Sequence, residues 1–356
     1  MLNHHHFVRL PSIKSTCKIF PSIFIFFLAS QAFAAQTEYP AGRDIALKNI
    51  TATITINLQE DADGISVSIK NSQESYTLDH SLKGNTVLIE GPQKPKSKPF
   101  QRGIRGRGAL AERVERWLAD YPAITITAPK GSDIKIENFI ATLNVSGDAG
   151  TVILKNSLYA GGKFGNIASG KINIGGSGSL VFGDIADSLT ASLGGSGKLT
   201  FGNGRNGNFN IGGSGDIIAG RFSGPVSASI GGSGTIIIEE IGGDGEFSIA
   251  GSGDIKTGPV NDGIYASISG SGDISLARIN GPATASIVGS GDIRIESGKA
   301  TQLSVSIVGS GDFVFNGEAA NPGIAILGSG DVTLGSYSGN LSIRGNKNDV
   351  HIGTRP

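Results

Sequence analysis

The sequence predicts an all-β chain wound into a parallel solenoid of roughly 19-residue turns, and three observations carry that prediction. Gly-Ser-Gly occurs nine times, with serines at Ser177, Ser196, Ser214, Ser233, Ser252, Ser271, Ser290, Ser310 and Ser329, and successive copies lie 18 to 20 residues apart. Around each copy apolar residues alternate with small, mostly polar ones, which is the period of a strand. Glycine is the compositional outlier at 55 residues, without the three-residue period of collagen. A unit of this kind buries its apolar side only when neighbours stack on it.

From the N-terminus, residues 1–34 read as an export signal: basic Arg9, Lys14 and Lys18, an apolar run over 19–29, then Ala32-Phe33-Ala34, with cleavage expected after Ala34. A membrane anchor fits less well, because the run is shorter than the ~20 residues a spanning helix needs, and Pro21 interrupts it. No integral span is expected after cleavage. The one cysteine, Cys17, precedes the apolar run, so lipid attachment at the cut is not expected and the mature chain has no thiol for disulfides or metal. Residues 35–137 are expected to form irregular N-terminal turns. Within them, 94–107 carries six basic residues, among them Lys96, Lys98, Arg102 and Arg105, with no acid, and reads as an exposed basic loop. Next, 109–119 places Leu110, Val114, Trp117 and Leu118 at helical spacing, predicting a short amphipathic helix that caps or covers those turns, so that the insertion spans about 94–119.

Residues 138–356 hold the regular repeat and a polar C-terminal cap at 346–349. Three positions before the serines stand Ile174, Leu193, Ile211, Ile230, Ile249, Ile268, Ile287, Ile307 and Ile326; three positions after stand residues such as Leu180, Ile274 and Phe313. Each turn therefore reads as strand, Gly-Ser-Gly corner, strand and a looser return such as 296–301. The corner glycines suit positions of positive φ. Stacking sets equivalent residues about 4.8 Å apart, so the inward isoleucines form continuous columns.

The recurring Ser-Gly-Ser-Gly-Asp-Ile of 269–274, with Val-Gly-Ser-Gly-Asp at 288–292 and 308–312, resembles the head GIN domain family, a family of unknown function labelled as an autotransporter adhesin head. The resemblance is strong over 172–332 and weaker upstream, where 45–57, 76–90 and 124–136 are similar to that family's irregular first strands. It implies a right-handed parallel β-helix in an exported, adhesin-like protein. The last turns end near Pro356, so no membrane barrel of alternating strands is expected after them and self-translocation is not expected.

Charge balance, 30 basic against 30 acidic residues, gives no reason to expect nucleic acid as a partner. The basic loop suggests attachment to an anionic polymer or headgroup, against the plainer reading of a solvated loop. Asp216, Asp254, Asp273, Asp292, Asp312 and Asp331 follow the corner and form a column that invites a calcium hypothesis. Calcium-binding nonapeptide repeats space their aspartate differently, and aspartates in tight turns accept backbone N–H bonds without metal, so no metal and no cofactor are expected. Catalytic residues are not expected either: His80 and His351 lie in no motif, and Glu239 and Glu240, adjacent in a strand, should face opposite ways. Phe182 and Phe201 fall at inward positions, and Trp117 is the single tryptophan, so no aromatic sugar platform is evident. What remains is a flat outward face of small polar residues, Asn173, Ser192, Asn210, Ser229, Ser248, Ser267, Ser286 and Ser306, suited to a polymer or a second solenoid. The expected function is an exported, non-catalytic adhesin-like or surface-structural protein whose partners are envelope or host glycans or proteins, or another copy of itself. A self-assembling envelope scaffold and a β-helix polysaccharide lyase or hydrolase are the alternatives.

Overall fold

The repeat dictates the register from turn to turn. In the computed structural model, which describes residues 35–71, 76–105 and 109–353, the strands join into one sheet that winds through about 12 turns, parallel throughout the repeat region. The expected export signal lies outside the described residues. The isoleucine column before the corner is unbroken: Ile174 aligns with Leu193, and each residue aligns with the next as far as Ile326. A second column beyond the corner runs from Leu180 through Ile255 and Ile274 to Val332. Ile268, Ile274, Ile287 and Ile293 are wholly buried, each such side chain contributing about 1.5–3 kcal/mol.

Volume is balanced within single turns. Where the residue five positions before the serine is Phe209 or Phe247, the residue two before that is Gly207 or Gly245; where it is Ala191, Ala228 or Ala266, the partner is Leu189, Val226 or Ile264. A Cβ on Gly245 would lie 2.5 Å from the Phe247 ring, and one on Gly207 would lie 2.8 Å from the Phe209 ring. Two adjacent turns depart from this: Ala283 and Ala285 are small with small, and Leu303 and Val305, aligned with them, are large with large. Phe164, Phe182 and Phe201, on the inward side, stack in series with centroids 4.6 and 5.0 Å apart.

The corners need glycine chiefly for a different reason than expected. Positive φ occurs there at Gly178, Gly289, Gly309 and Gly328. At Gly232, Gly251 and Gly272 the constraint is close approach, since a Cβ would collide with the carbonyl oxygen of the glycine one turn below. That approach lets corner N–H groups bond to the preceding turn: Ser233 donates to Gly213 O at 3.0 Å and Ser271 to Gly251 O at 3.1 Å. The chain bends again between Ile238 and Ile241. There Glu239 and Glu240 both turn outward, correcting the expectation of opposite faces, and Arg221 of the turn below lies 2.9 Å from Glu239 and 3.7 Å from Glu240. Strict alternation fails because a bend inserts an extra outward residue.

The N-terminal turns are built from longer strands, Asp44–Gln59, Ile134–Ser146 and Ala149–Lys163, stacked in parallel. Each is bent at an asparagine in the left-handed region, Asn49, Asn138 and Asn156. Their side chains form a ladder, Asn156 Nδ2 donating to Asn138 Oδ1 at 3.3 Å and Asn138 Nδ2 to Asn49 Oδ1 at 3.0 Å. Beyond Asp44–Gln59 the pairing becomes mixed: Thr86–Glu90 and Ala123–Pro129 still stack on it in parallel, but Ala35–Tyr39 and Ala123–Pro129 pair antiparallel with Ile65–Lys70, and Asp79–Lys83 pairs antiparallel with Thr86–Glu90. These strands close the N-terminal end.

Two helices lie against the outside of these turns. The expected helix is α2, Leu110–Leu118, and it covers rather than caps, burying Val114 and Leu118 on Ile140 and Tyr159, an outward-facing pair from adjacent turns. The basic tract is not simply a loop. Ser97–Gly103 forms α1, with Pro99 tolerated in its first turn, because Phe100 docks edge-on against Trp117 at 5.3 Å. Lys94, Lys96, Lys98, Arg102 and Arg105 remain exposed around it, and Arg107 lies outside the described residues.

Candidate functional site

Strands that precede the Gly-Ser-Gly corners project alternate side chains outward, so each contributes three residues to one lateral face. The middle column contains all eight small polar residues singled out from the sequence. Asn173 aligns with Ser192, Ser192 with Asn210, and the series continues turn by turn through Ser229, Ser248, Ser267 and Ser286 to Ser306, every one exposed or half-buried. Seven turn spacings of about 4.8 Å give the ladder a length of about 34 Å.

On one side of that ladder the face is not flat. The column Thr190, Asn208, Ser227, Glu246, Tyr265 and Thr284, with the return loops carrying Pro225, Asp244 and Pro282, lines a groove of about 640 Å³. Tyr265 is 48% exposed in it. Asp244 and Glu246 are the only ionisable acids of the lining and no Lys or Arg shares it. Asp244 Oδ1 accepts the Gly263 N–H at 3.1 Å, which commits that oxygen to holding the loop. This groove was missed in the sequence, although the signal was present: an outward period-two position occupied by tyrosine. The column lies six residues before the serine, outside the immediate flanks of the Gly-Ser-Gly motif.

On the other side of the ladder the outward position is glycine in the early turns and then turns apolar. Val288, Val308 and Leu327 align with one another and are 49%, 43% and 72% exposed. This change of character along the axis was also not anticipated.

The corner aspartates stand on a separate edge. Asp273 Oδ1 accepts the Asp292 N–H at 3.0 Å, Asp292 Oδ1 the Asp312 N–H at 2.8 Å, and Asp312 Oδ1 the Asp331 N–H at 2.8 Å. Each carboxylate thus spends one oxygen joining its turn to the next. Asp216 and Asp254 are divided by Thr235 in the same column. Among the described residues no group of three His, Cys, Asp or Glu is arranged to hold a metal ion. A matching ladder of Asn166, Asp184 and Asn203 accepts N–H groups at another bend, which marks this use of side-chain oxygens as architectural.

The remaining candidates are dispersed. His80 Nδ1 meets the Tyr39 hydroxyl at 2.5 Å in the N-terminal closure, and His351 lies 3.9 Å from Asp331 near the other end. Trp117 is packed between Phe100 and Tyr121, so its ring serves the helical cover. Burial raises the phenols of Tyr76 and Tyr159 above their ordinary value, and the Tyr76 hydroxyl accepts the Thr51 N–H at 2.8 Å. No described helix is long and apolar enough to cross a membrane.

A scan against protein-family models finds no match to this sequence, and a search of curated proteins finds none. Among solved structures, a proposed adhesin from Bacteroides fragilis NCTC 9343 is similar at 14% identity and a TM-score of 0.31, over 85% of this chain and 96% of that one. A proposed adhesin from Parabacteroides distasonis ATCC 8503 is similar at 17% identity and a TM-score of 0.26, over 85% and 96%. A proposed cell adhesion protein from Clostridium sporogenes ATCC 15579 is similar at 13% identity and a TM-score of 0.20, over 74% and 99%.

Proposed function

We propose that this chain is an exported, non-catalytic binding protein of adhesin-like character, which engages an extended partner along its lateral face. The observation that carries the reading is the unbroken eight-rung ladder of small polar side chains with a groove running beside it. A surface that repeats once per turn suits a partner that also repeats. The basic and apolar pattern of residues 1–34 supports export, and the resemblance to the head GIN family supports an adhesin head. Asp244 beside the groove has one oxygen committed to the Gly263 N–H, which favours a loop-holding role for it.

The test uses labelled protein on intact bacterial and epithelial cells, comparing wild type with Ser248→Arg/Ser267→Arg. Both positions face outward, so the fold should tolerate the change, while two long cations should block the ladder. Cell binding lost in the variant supports the reading; binding unchanged, or absent in the wild type, overturns it. Protease shaving of producing cells locates the protein: digestion with a periplasmic control intact places it outside, and full protection sinks host adhesion.

The scaffold alternative draws on one observation, the apolar column Val288, Val308 and Leu327. If copies associate through it, sedimentation should show concentration-dependent oligomers that Leu327→Glu abolishes.

A further inference from the structure

The groove beside the ladder has a composition that selects among partners. Resting on the binding reading above, we propose that it holds an uncharged polysaccharide laid along the solenoid axis, with Tyr265 as the stacking platform for a sugar ring. Three features of the groove lead there.

The first is what its walls lack. Every strand under it is paired on both sides; Val226–Ile230, for example, lies between Asn206–Ile211 and Gly245–Ile249. A peptide that binds by adding a strand needs a free sheet edge, and this lateral face offers none. Recognition must therefore come from side chains. The second is charge: Asp244 and Glu246 stand in the lining with no cation, so a polyanionic chain is repelled. The third is the match of surface chemistry. Tyr265 stands in register between Glu246 and Thr284, with Asn208 and Ser227 in the same column. An aromatic face beside hydroxyl, amide and carboxylate groups complements a sugar, which has an apolar C–H face and a rim of hydroxyls that both donate and accept. The column spans six strands, or about 24 Å at 4.8 Å per turn. A groove of that length accommodates several consecutive sugar residues.

The experiment is affinity electrophoresis of the purified protein through gels containing glucomannan, which is neutral, or alginate, which is a polyuronate. Wild type should be retarded by glucomannan and not by alginate. Tyr265→Ala should raise the apparent Kd for glucomannan by about tenfold, the effect of losing one aromatic anchor. Tyr265→Phe should retain binding, and melting curves of both variants should match wild type. Retardation by alginate with Tyr265→Ala indifferent, or no retardation by glucomannan, overturns the proposal. The cell-binding assay separates the two levels: if cells still bind protein through the ladder while glucomannan does nothing, the groove assignment alone fails. If neither binds, the binding reading fails with it.

Discussion

Gly245 and Phe247 show how narrowly the core is filled. A side chain at 245 would enter the space of the Phe247 ring, so Gly245→Val should destabilise by about 1–3 kcal/mol through overpacking. Phe247→Ala alone should cost about 3–5 kcal/mol by leaving a cavity. The double variant recreates the Val226/Ala228 arrangement of the turn below and should recover much of the sum, a coupling that melting curves of the four proteins will measure. Ile268→Asp has no such remedy, because it puts an unpaired charge at a wholly buried position; a soluble variant with unchanged melting would contradict the inward assignment. Inward residues of this kind were legible from alternation alone. The reason for the corner glycines was not, since composition cannot distinguish a left-handed φ from a neighbour's carbonyl, and the latter depends on what stacks beneath.

The helices are a satellite of the N-terminal turns, held by Phe100, Val114 and Leu118 on Ile140 and Tyr159. Leu118→Ala should remove about 2–5 kcal/mol of docking. Hydrogen exchange should then quicken over Ser97–Gly103 and Leu110–Leu118 while the amides of 245–295 stay protected, because a solenoid transmits instability only to neighbouring turns. Helix α2 was readable from the spacing of its apolar residues. Helix α1 was obscured by the charges around it, and Phe100 was the overlooked signal in the tract: a large aromatic among lysines implies something for it to pack against. Glu239 and Glu240 were misread for a related reason. Period two holds along a strand but not across a bend, and nothing in those two residues announces the bend.

Over the described residues the solenoid is a linear array whose turns contact only their neighbours, which makes length adjustable. Removing residues 264–282, one complete turn, would bring Ile249 beneath Ile287 and Gly251 beneath Gly289. The shortened protein should stay soluble with the same β-sheet signal per residue by circular dichroism, while losing Tyr265 and, with it, binding glucomannan about tenfold more weakly or worse. The ladder face was legible in the sequence because its rungs recur; the groove beside it was not, because it arises from side chains contributed by six separate strands and their return loops. The balance of large and small residues inside most turns has a consequence for heredity. A crossover between two equivalent Gly-Ser-Gly segments passes on units whose volumes already close, whereas a single-base change at a core position opens an imbalance that a second must repair. Descendants of this gene should therefore differ more readily by the count of their turns than by the residues buried within them.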